Sequence, residues 1–431
     1  MNSEKYNETS RRQTRVLFLA GGYSIHAKRR IQLFTDDPRF AIAVVSPFDY
    51  NFLHAENVLL SQVRKNDVPK SNSPRNNKDY KRKKNIREIA LRLWEKIYVV
   101  LRRFEPLRIL YIVLVRGRRD LAVLKNAVKE FKPDIVFLQT LLYPSYLAYF
   151  LPRSLPFVIT FWNGDVTWWA KENGIDRLIK KQIVTYGVRR AKAITVNSQA
   201  AFNACLDYGA QAEKIHLLQY PGVDLNLFKP LDKEEARKKL GITAGKVVFC
   251  PRGLGGYLNS DIIVESAAYV IRKYPDTLFL FVSGAGSQSV FKQHKKRAEE
   301  IGAGMNFRWE GHISWEEMPY YYNASDVMIS ISSNDSLPNC MLEAMACKIP
   351  LVMGDIPQIR AWVTDGANGF LVAPRDTAAL SKRIVEVFDN KSGMIDSFTD
   401  KNLDLINREM DSERNTKRIK DIVHRLAVEK L

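Results

Sequence analysis

Two carboxylates eight residues apart, Asp335 and Glu343, bracket the stretch Ser336-Leu337-Pro338-Asn339-Cys340-Met341-Leu342. Pro338 suits the first turn of a helix, where its missing N–H and fixed φ do no harm. The spacing therefore predicts a loop carrying Asp335 and a helix carrying Glu343. Opening N–H groups of a helix lack intrahelical acceptors and carry partial positive charge, so they can hold a diphosphate without a metal. Glu343 would lie about 7.5 Å further along the axis, within reach of ribose hydroxyls, and Asp335 would face hydroxyls of a sugar beyond the phosphates. Either acid alone is also what a solvated helix face presents. Arg252 adds a cation. It follows the apolar run Val247 to Cys250, at the carboxyl end of a predicted strand, where ligands bind in open parallel sheets. A guanidinium there can stabilise a departing pyrophosphate.

Gly284-Ala285-Gly286 ends the next long apolar run, and Gly21-Gly22 ends the first one. Both pairs let a ligand approach the backbone, or simply make a tight turn. His26 lies just after Gly21-Gly22, where it would touch phosphate or acceptor, or else cap a helix. The other five histidines, His54, His216, His294, His312 and His424, form no metal-ligand spacing, so no metal site is expected. Trp162, Trp168 and Trp169 around Asp165 are candidates for stacking on a sugar ring or for interdomain packing.

Elements must hold these groups in place. Short apolar runs stopping at Gly, Asn, Asp or Ser alternate with longer amphipathic stretches. The runs are Val16 to Ala20, Ile42 to Val45, Ile135 to Leu138, Phe157 to Phe161 and Ala193 to Val196, then Val247 to Cys250, Leu278 to Val282, Val327 to Ile331 and Leu351 to Met353. Strands this apolar are covered on both faces, which predicts an α/β fold of two doubly wound parallel-sheet domains. A turn-rich stretch from Pro221 to Pro230, before a charged helix over Lys233 to Leu240, places the seam at 228/229. A helix from Thr377 to Asp389, capped by Asp376 and striped by Leu380, Ile384, Val387 and Phe388, closes the second domain near 390. The remaining 391–431 is expected to be a helical tail packing back toward the first domain.

The 431 residues carry 66 Lys+Arg against 47 Asp+Glu, a net +19. Residues 64–119 hold 18 of the cations and 5 of the acids, a local +13, so the basicity belongs mostly to one insert. Within it Ser71 to Lys84 is a low-complexity basic loop. Ile86, Ile89, Leu93, Trp94, Ile97, Val100, Leu101 and Phe104 then fall at helical spacing opposite Arg87, Arg92, Lys96, Arg102 and Arg103. Such a helix either packs on the core or lies in a membrane interface, its basic loop drawn to anionic lipid. No nucleic-acid-binding motif accompanies the charge. The four cysteines, Cys205, Cys250, Cys340 and Cys347, are far apart and read as reduced thiols. The apolar run before Gly22 is too short for a signal peptide, and no uncharged stretch reaches the ~20 residues that span a bilayer. A cytoplasmic protein at the membrane's cytoplasmic face is expected.

Together these motifs resemble the GT-B glycosyltransferases of family 4, whose C-terminal domain carries the pattern E-x-x-P-x-x-x-x-E-A-M-A-x-G-x-P-V-V. Here Asp335 to Val352 reads DSLPNCMLEAMACKIPLV. Pro221-Gly222-Val223-Asp224, Gly311-His312-Ile313-Ser314, Ala324-Ser325-Asp326-Val327 and Gly366-Ala367-Asn368-Gly369 extend the likeness. Ser24-Ile25-His26 and Trp162-Asn163-Gly164-Asp165 resemble elements of one branch. The resemblance implies two Rossmann-like domains facing across a cleft, and a retaining, metal-independent transfer from a UDP- or GDP-sugar, with no cofactor, to a saccharide or lipid-linked acceptor in polysaccharide or glycolipid synthesis. It implies that Glu343 binds the ribose, Asp335 the sugar and Arg252 the diphosphate. The helix start Pro338, Asn339, Met341 and Leu342 and the loops at Gly21, Gly22, Gly284 and Gly286 would complete the donor site, with His312 and Ile313 bordering the base. His26, Trp162 and Asp165 would lie on the acceptor side. Three departures from the family matter: Tyr257 stands where many members have Lys, Trp162 replaces a common His, and the first acid is Asp335 rather than Glu. A non-catalytic nucleotide-binding scaffold and a nucleotide-sugar epimerase remain as alternatives.

Overall fold

The computed structural model of the chain describes residues 12–21, 25–47, 52, 54–60, 117–142, 144–162, 164–167, 177–219, 221–282, 288–335, 337–390 and 393–429. The basic loop and amphipathic helix expected at 71–104 lie outside these residues, as do Gly22, Gly284, Gly286, Trp168, Trp169 and the side chain of His26.

Two compact units divide the chain: Met1–Leu218 with Ile419–Leu431, and Gln219–Arg418. The first holds a seven-stranded sheet of β1 (Thr14–Ala20), β2 (Phe40–Ser46), β3 (Ala55–Leu59), β4 (Ile135–Gln139), β5 (Phe157–Thr160), β6 (Ala193–Val196) and β7 (Ile215–Leu217), in the order β3-β2-β1-β4-β5-β6-β7. The second holds β8 (Lys246–Cys250), β9 (Thr277–Val282), β10 (Phe307–Glu310), β11 (Val327–Ser330), β12 (Leu351–Gly354) and β13 (Phe370–Val372), in the order β10-β9-β8-β11-β12-β13. All the pairings are parallel. Val16 through Ala20 are fully buried, as are Val247 and Val248, because helices cover both faces of each sheet. Every predicted apolar run is a strand. Four further strands are present: β3, β7 and β10 lack such runs, and β13 is the three-residue apolar stretch Phe370-Leu371-Val372.

Each sheet reverses its order once, between β1 and β4 and between β8 and β11. At such a point the connections leave the sheet in opposite directions and open a crevice at the carboxyl ends.

The helices Lys233–Leu240 and Thr377–Asp389 have the expected bounds, and the Asp376 carboxylate accepts the Ala379 N–H at 2.8 Å. The division between units differs from the expected seam at 228/229. Segment 219–228 belongs to the second unit because the Val223 N–H donates to the Met410 carbonyl at 2.8 Å, the Ser412 N–H donates to the Val223 carbonyl at 3.0 Å, and Asn415 Nδ2 donates to the Gln219 carbonyl at 2.9 Å. Phe228 is buried there against Trp315 and Tyr322. The tail forms helices Met394–Glu409 and Ser412–Val428, and the division falls inside the latter. Beyond it, Lys420 Nζ meets Asp37 at 3.0 Å and His424 Nδ1 lies 2.7 Å from the Thr14 hydroxyl.

Candidate functional site

In the second unit Arg252 follows β8 and Asp335 follows β11, the two strands that flank the reversal. The sequence thus brings these groups together by topology, though 82 residues separate them. An Arg252 guanidinium nitrogen donates to Asp335 Oδ2, and the Ser332 hydroxyl donates to the same oxygen at 3.2 Å. Burial opposes the charge on Arg252, while Cys340 and the Asp335 carboxylate more than offset it, so the guanidinium stays protonated. Gly354, ending β12, packs so closely on this segment that a Cβ would lie 2.6 Å from the Ser332 carbonyl oxygen.

Asp335 leads into helix Asn339–Ala346. Pro338 is not in its first turn but is the extended residue before it, with φ −67° and ψ 123°; its carbonyl accepts the Met341 N–H at 3.0 Å and the Leu342 N–H at 3.5 Å. The side chains of Met341 and Leu342 fill the core. With both groups so engaged, these two residues are placed as supports of the helix start. Burial pushes the Cys340 thiol up to about 11, although Arg252 pulls it down.

Glu343, one turn further on, accepts a 2.8 Å hydrogen bond from the Tyr322 hydroxyl. Tyr322 is fully buried, its ring packed against Phe249 and Phe228. Burial and then the Glu343 carboxylate hold the phenol well above its ordinary range, so it remains a donor. No motif in the sequence marks Tyr322. The only signal was its place in the tyrosine run 320–322. His312 is exposed, and half-buried Ile313 packs on the core. Tyr257 is exposed, but its carbonyl accepts the Ser333 N–H at 2.7 Å.

In the first unit Gly21 follows β1 beside the reversal, and His26 falls in helix Ile25–Thr35. Asp165 is buried, accepting from the Thr140 hydroxyl at 2.6 Å and the Trp162 N–H at 3.0 Å. Burial pushes its carboxyl up to about 6 against the pull of those donors. Thr140, just past β4, has φ +96°, a strained posture for a β-branched residue. Its N–H bond to the Thr160 carbonyl and its hydroxyl bond to Asp165 hold it there. The Arg30 guanidinium lies 5.3 Å from the Trp162 ring centroid. Asp165 and Trp162 thus tie the ends of β4 and β5 together.

Two doubly wound parallel sheets in one chain, the second with acids and a guanidinium at its reversal, make this a protein of GT-B fold. Residues 232–404 match the model of the glycosyl transferases group 1, and residues 73–227 match that of Glycosyltransferase Family 4. These two matches, one in each half of the chain, support a GT-B glycosyltransferase of the group 1 type. The structure of Anabaena HepE in complex with UDP superposes with a TM-score of 0.69, covering 96% of this chain and 100% of that one at 17% identity. Sucrose-phosphate synthase from Thermosynechococcus elongatus gives 0.70, covering 97% and 100% at 15% identity. A D-inositol 3-phosphate glycosyltransferase of Geodermatophilus obscurus is 32% identical over 200 residues, 44% of each chain. That of Frankia alni is 29% identical over 224 residues, 50% of this chain and 54% of the relative. The chain spans about half the length of these curated relatives.

Proposed function

We propose that the chain is a retaining, metal-independent glycosyltransferase that moves a sugar from a nucleotide diphosphate sugar, without a cofactor, to a saccharide acceptor, lipid-linked, in cell-surface polysaccharide or glycolipid synthesis. The observation that carries this reading is the Arg252–Asp335 pair and the Tyr322-anchored Glu343 at the reversal of the second sheet. A diphosphate arriving there meets a guanidinium already oriented by Asp335, so binding exchanges part of one ion pair for a phosphate contact. As the bond from the sugar to the diphosphate breaks, negative charge builds on the leaving oxygen, and Arg252 stabilises it there. Glu343, fixed by the Tyr322 phenol, accepts from ribose hydroxyls, and Asp335 from the sugar. The complexes of HepE with UDP and with UDP-glucose support a UDP-sugar as the first to try.

Incubation with a panel of UDP-, GDP- and ADP-sugars tests the class of reaction. Transfer or slow hydrolysis that survives a chelator supports the reading; isomerisation alone, or binding without turnover, counts against it. Arg252→Ala and Glu343→Ala should each cut turnover by roughly 100-fold or more with an unchanged circular dichroism spectrum. Wild-type turnover in either removes the site.

The basic insert supports a peripheral membrane role, since its charge is concentrated rather than spread. No helix among the described residues is long and apolar enough to cross a membrane. Deleting 71–104 should lower binding to anionic liposomes and remove its salt dependence; equal binding by both proteins would exclude that surface.

A further inference from the structure

The loop leaving β8 carries Arg252 and has an unusual backbone. Its φ is +88° at Gly255, +55° at Gly256 and +51° at Asn259. Glycine adopts positive φ freely, but at Asn259 the posture is one that the surroundings must hold. On one side Asn259 Nδ2 donates to the Ile331 carbonyl at 2.8 Å and to the Ser333 hydroxyl at 2.7 Å, and the Ser333 N–H returns to Tyr257. These bonds tie the loop to the segment that carries Asp335. On the other side stands helix Gln288–Glu300. The Gly255 N–H donates to the Ser260 hydroxyl at 2.7 Å, and that hydroxyl lies 2.8 Å from His294 Nε2 on the helix. Ser260 and His294 are both buried. Val290, one turn before His294, comes so near that a Cβ on Gly255 would sit 3.2 Å from its methyl carbon.

We propose that His294 is a positioning residue: through the Ser260 hydroxyl it fixes the Gly255 amide and so holds the loop that presents Arg252 to Asp335. A serine hydroxyl has two lone pairs and one proton. One lone pair takes the Gly255 N–H. The ring then either receives the hydroxyl proton at Nε2 or, when Nε2 is protonated, donates to the second lone pair. Both protonation states keep the link, so a glutamine, with a polar atom near the position of Nε2, preserves it. A phenylalanine of similar bulk leaves the buried Ser260 oxygen short of a partner. The consequence for turnover rests on the donor reading above; the ordering of the loop does not.

The test uses the full chain and its His294→Gln, His294→Phe and Ser260→Ala variants. Amide hydrogen exchange over 251–259 reports loop order, and calorimetry with UDP reports the site. Exchange in the loop should rise roughly tenfold in His294→Phe and Ser260→Ala, with UDP affinity falling by a similar factor. His294→Gln should stay within about twofold of wild type. Combining His294→Phe with Ser260→Ala should add little to either change, since both cut one chain of bonds. Unchanged loop exchange in His294→Phe, or a His294→Gln protein as disturbed as His294→Phe, overturns the proposal. Wild-type protein that fails to bind UDP sinks the donor reading instead, and the exchange pattern still decides the role of His294.

Discussion

Glu343 and Tyr322 show what a single residue position does and does not disclose. Glu343 is legible because an acid in a patterned stretch with Asp335 and near a proline carries obvious chemistry. The phenol that orients it sits 21 residues earlier, among three tyrosines of which only position 322 points to the carboxylate. No spacing rule marks that choice; the packing of Phe249 and Phe228 around the ring does. The same holds for Ser260 and His294, 34 residues apart and joined only by the fold. Conversely, Met341 and Leu342 share the donor stretch with Glu343, yet their apolar side chains turn into the core, as hydrophobic burial demands. Tyr322→Phe keeps the ring packing and removes one hydrogen bond to a charged group, an interaction worth about 1.5–3 kcal/mol. It should lower kcat/KM for the sugar donor by about 10- to 100-fold and, because the same bond is lost from the fold, lower the melting temperature by several degrees. A variant with wild-type kcat/KM would show that Glu343 needs no such anchor.

At the scale of elements, the strands missed from sequence share one property: β3, β7, β10 and β13 are the edges of the two sheets. An edge strand has one neighbour and is half exposed, so its residues need not form an apolar run. Phe307-Arg308-Trp309-Glu310 alternates, and His216 interrupts Ile215–Leu217. Central strands, buried on both faces, announce themselves; of the edges only the short β13, Phe370-Leu371-Val372, is as apolar. The helix start at Thr377 is equally readable, because Asp376 satisfies a specific backbone donor. Asp326, just before β11, joins three elements at once. It meets Lys233 Nζ at 2.6 Å and Arg237 at 2.9 Å on helix Lys233–Leu240, and accepts the Val247 N–H of β8 at 2.7 Å. The Arg237 and Asp326 side chains are only 11% and 13% exposed. Asp326→Ala would leave a nearly buried guanidinium and a strand amide without this partner. A loss of about 3 kcal/mol is expected, measured as a lower urea midpoint for the second unit. A shift below about 0.5 kcal/mol, typical of surface pairs, would contradict the role assigned to Asp326.

For the whole molecule, the division into two units gives acid and base opposite effects. Asp165 in the first unit has its carboxyl raised from 3.8 to about 6 by burial. Between these values the folded unit keeps a proton that the unfolded chain has released. Its contribution is therefore fully present below about pH 4 and is lost as pH rises through 6, a change of about 3 kcal/mol. Asp37 in the same unit is held far below the usual carboxylate range, chiefly by Arg39, so its contribution fades only at lower pH. His294 in the second unit runs the other way. Burial lowers its pKa from 6.5, although Asp261 opposes this, so the unfolded imidazole binds a proton before the folded one does. Its contribution is full above 6.5 and is lost as pH falls below that value. Protection factors, with intrinsic exchange rates removed, should thus rise for β4 and β5 and fall for the loop and helix around His294 on going from pH 7 to pH 4.5. Asp165→Asn replaces a titrating group by a neutral amide at the cost of one acceptor. It should flatten the trend in the first unit and leave the second unit's trend intact; parallel curves for wild type and Asp165→Asn would show that this carboxyl does not titrate in the window.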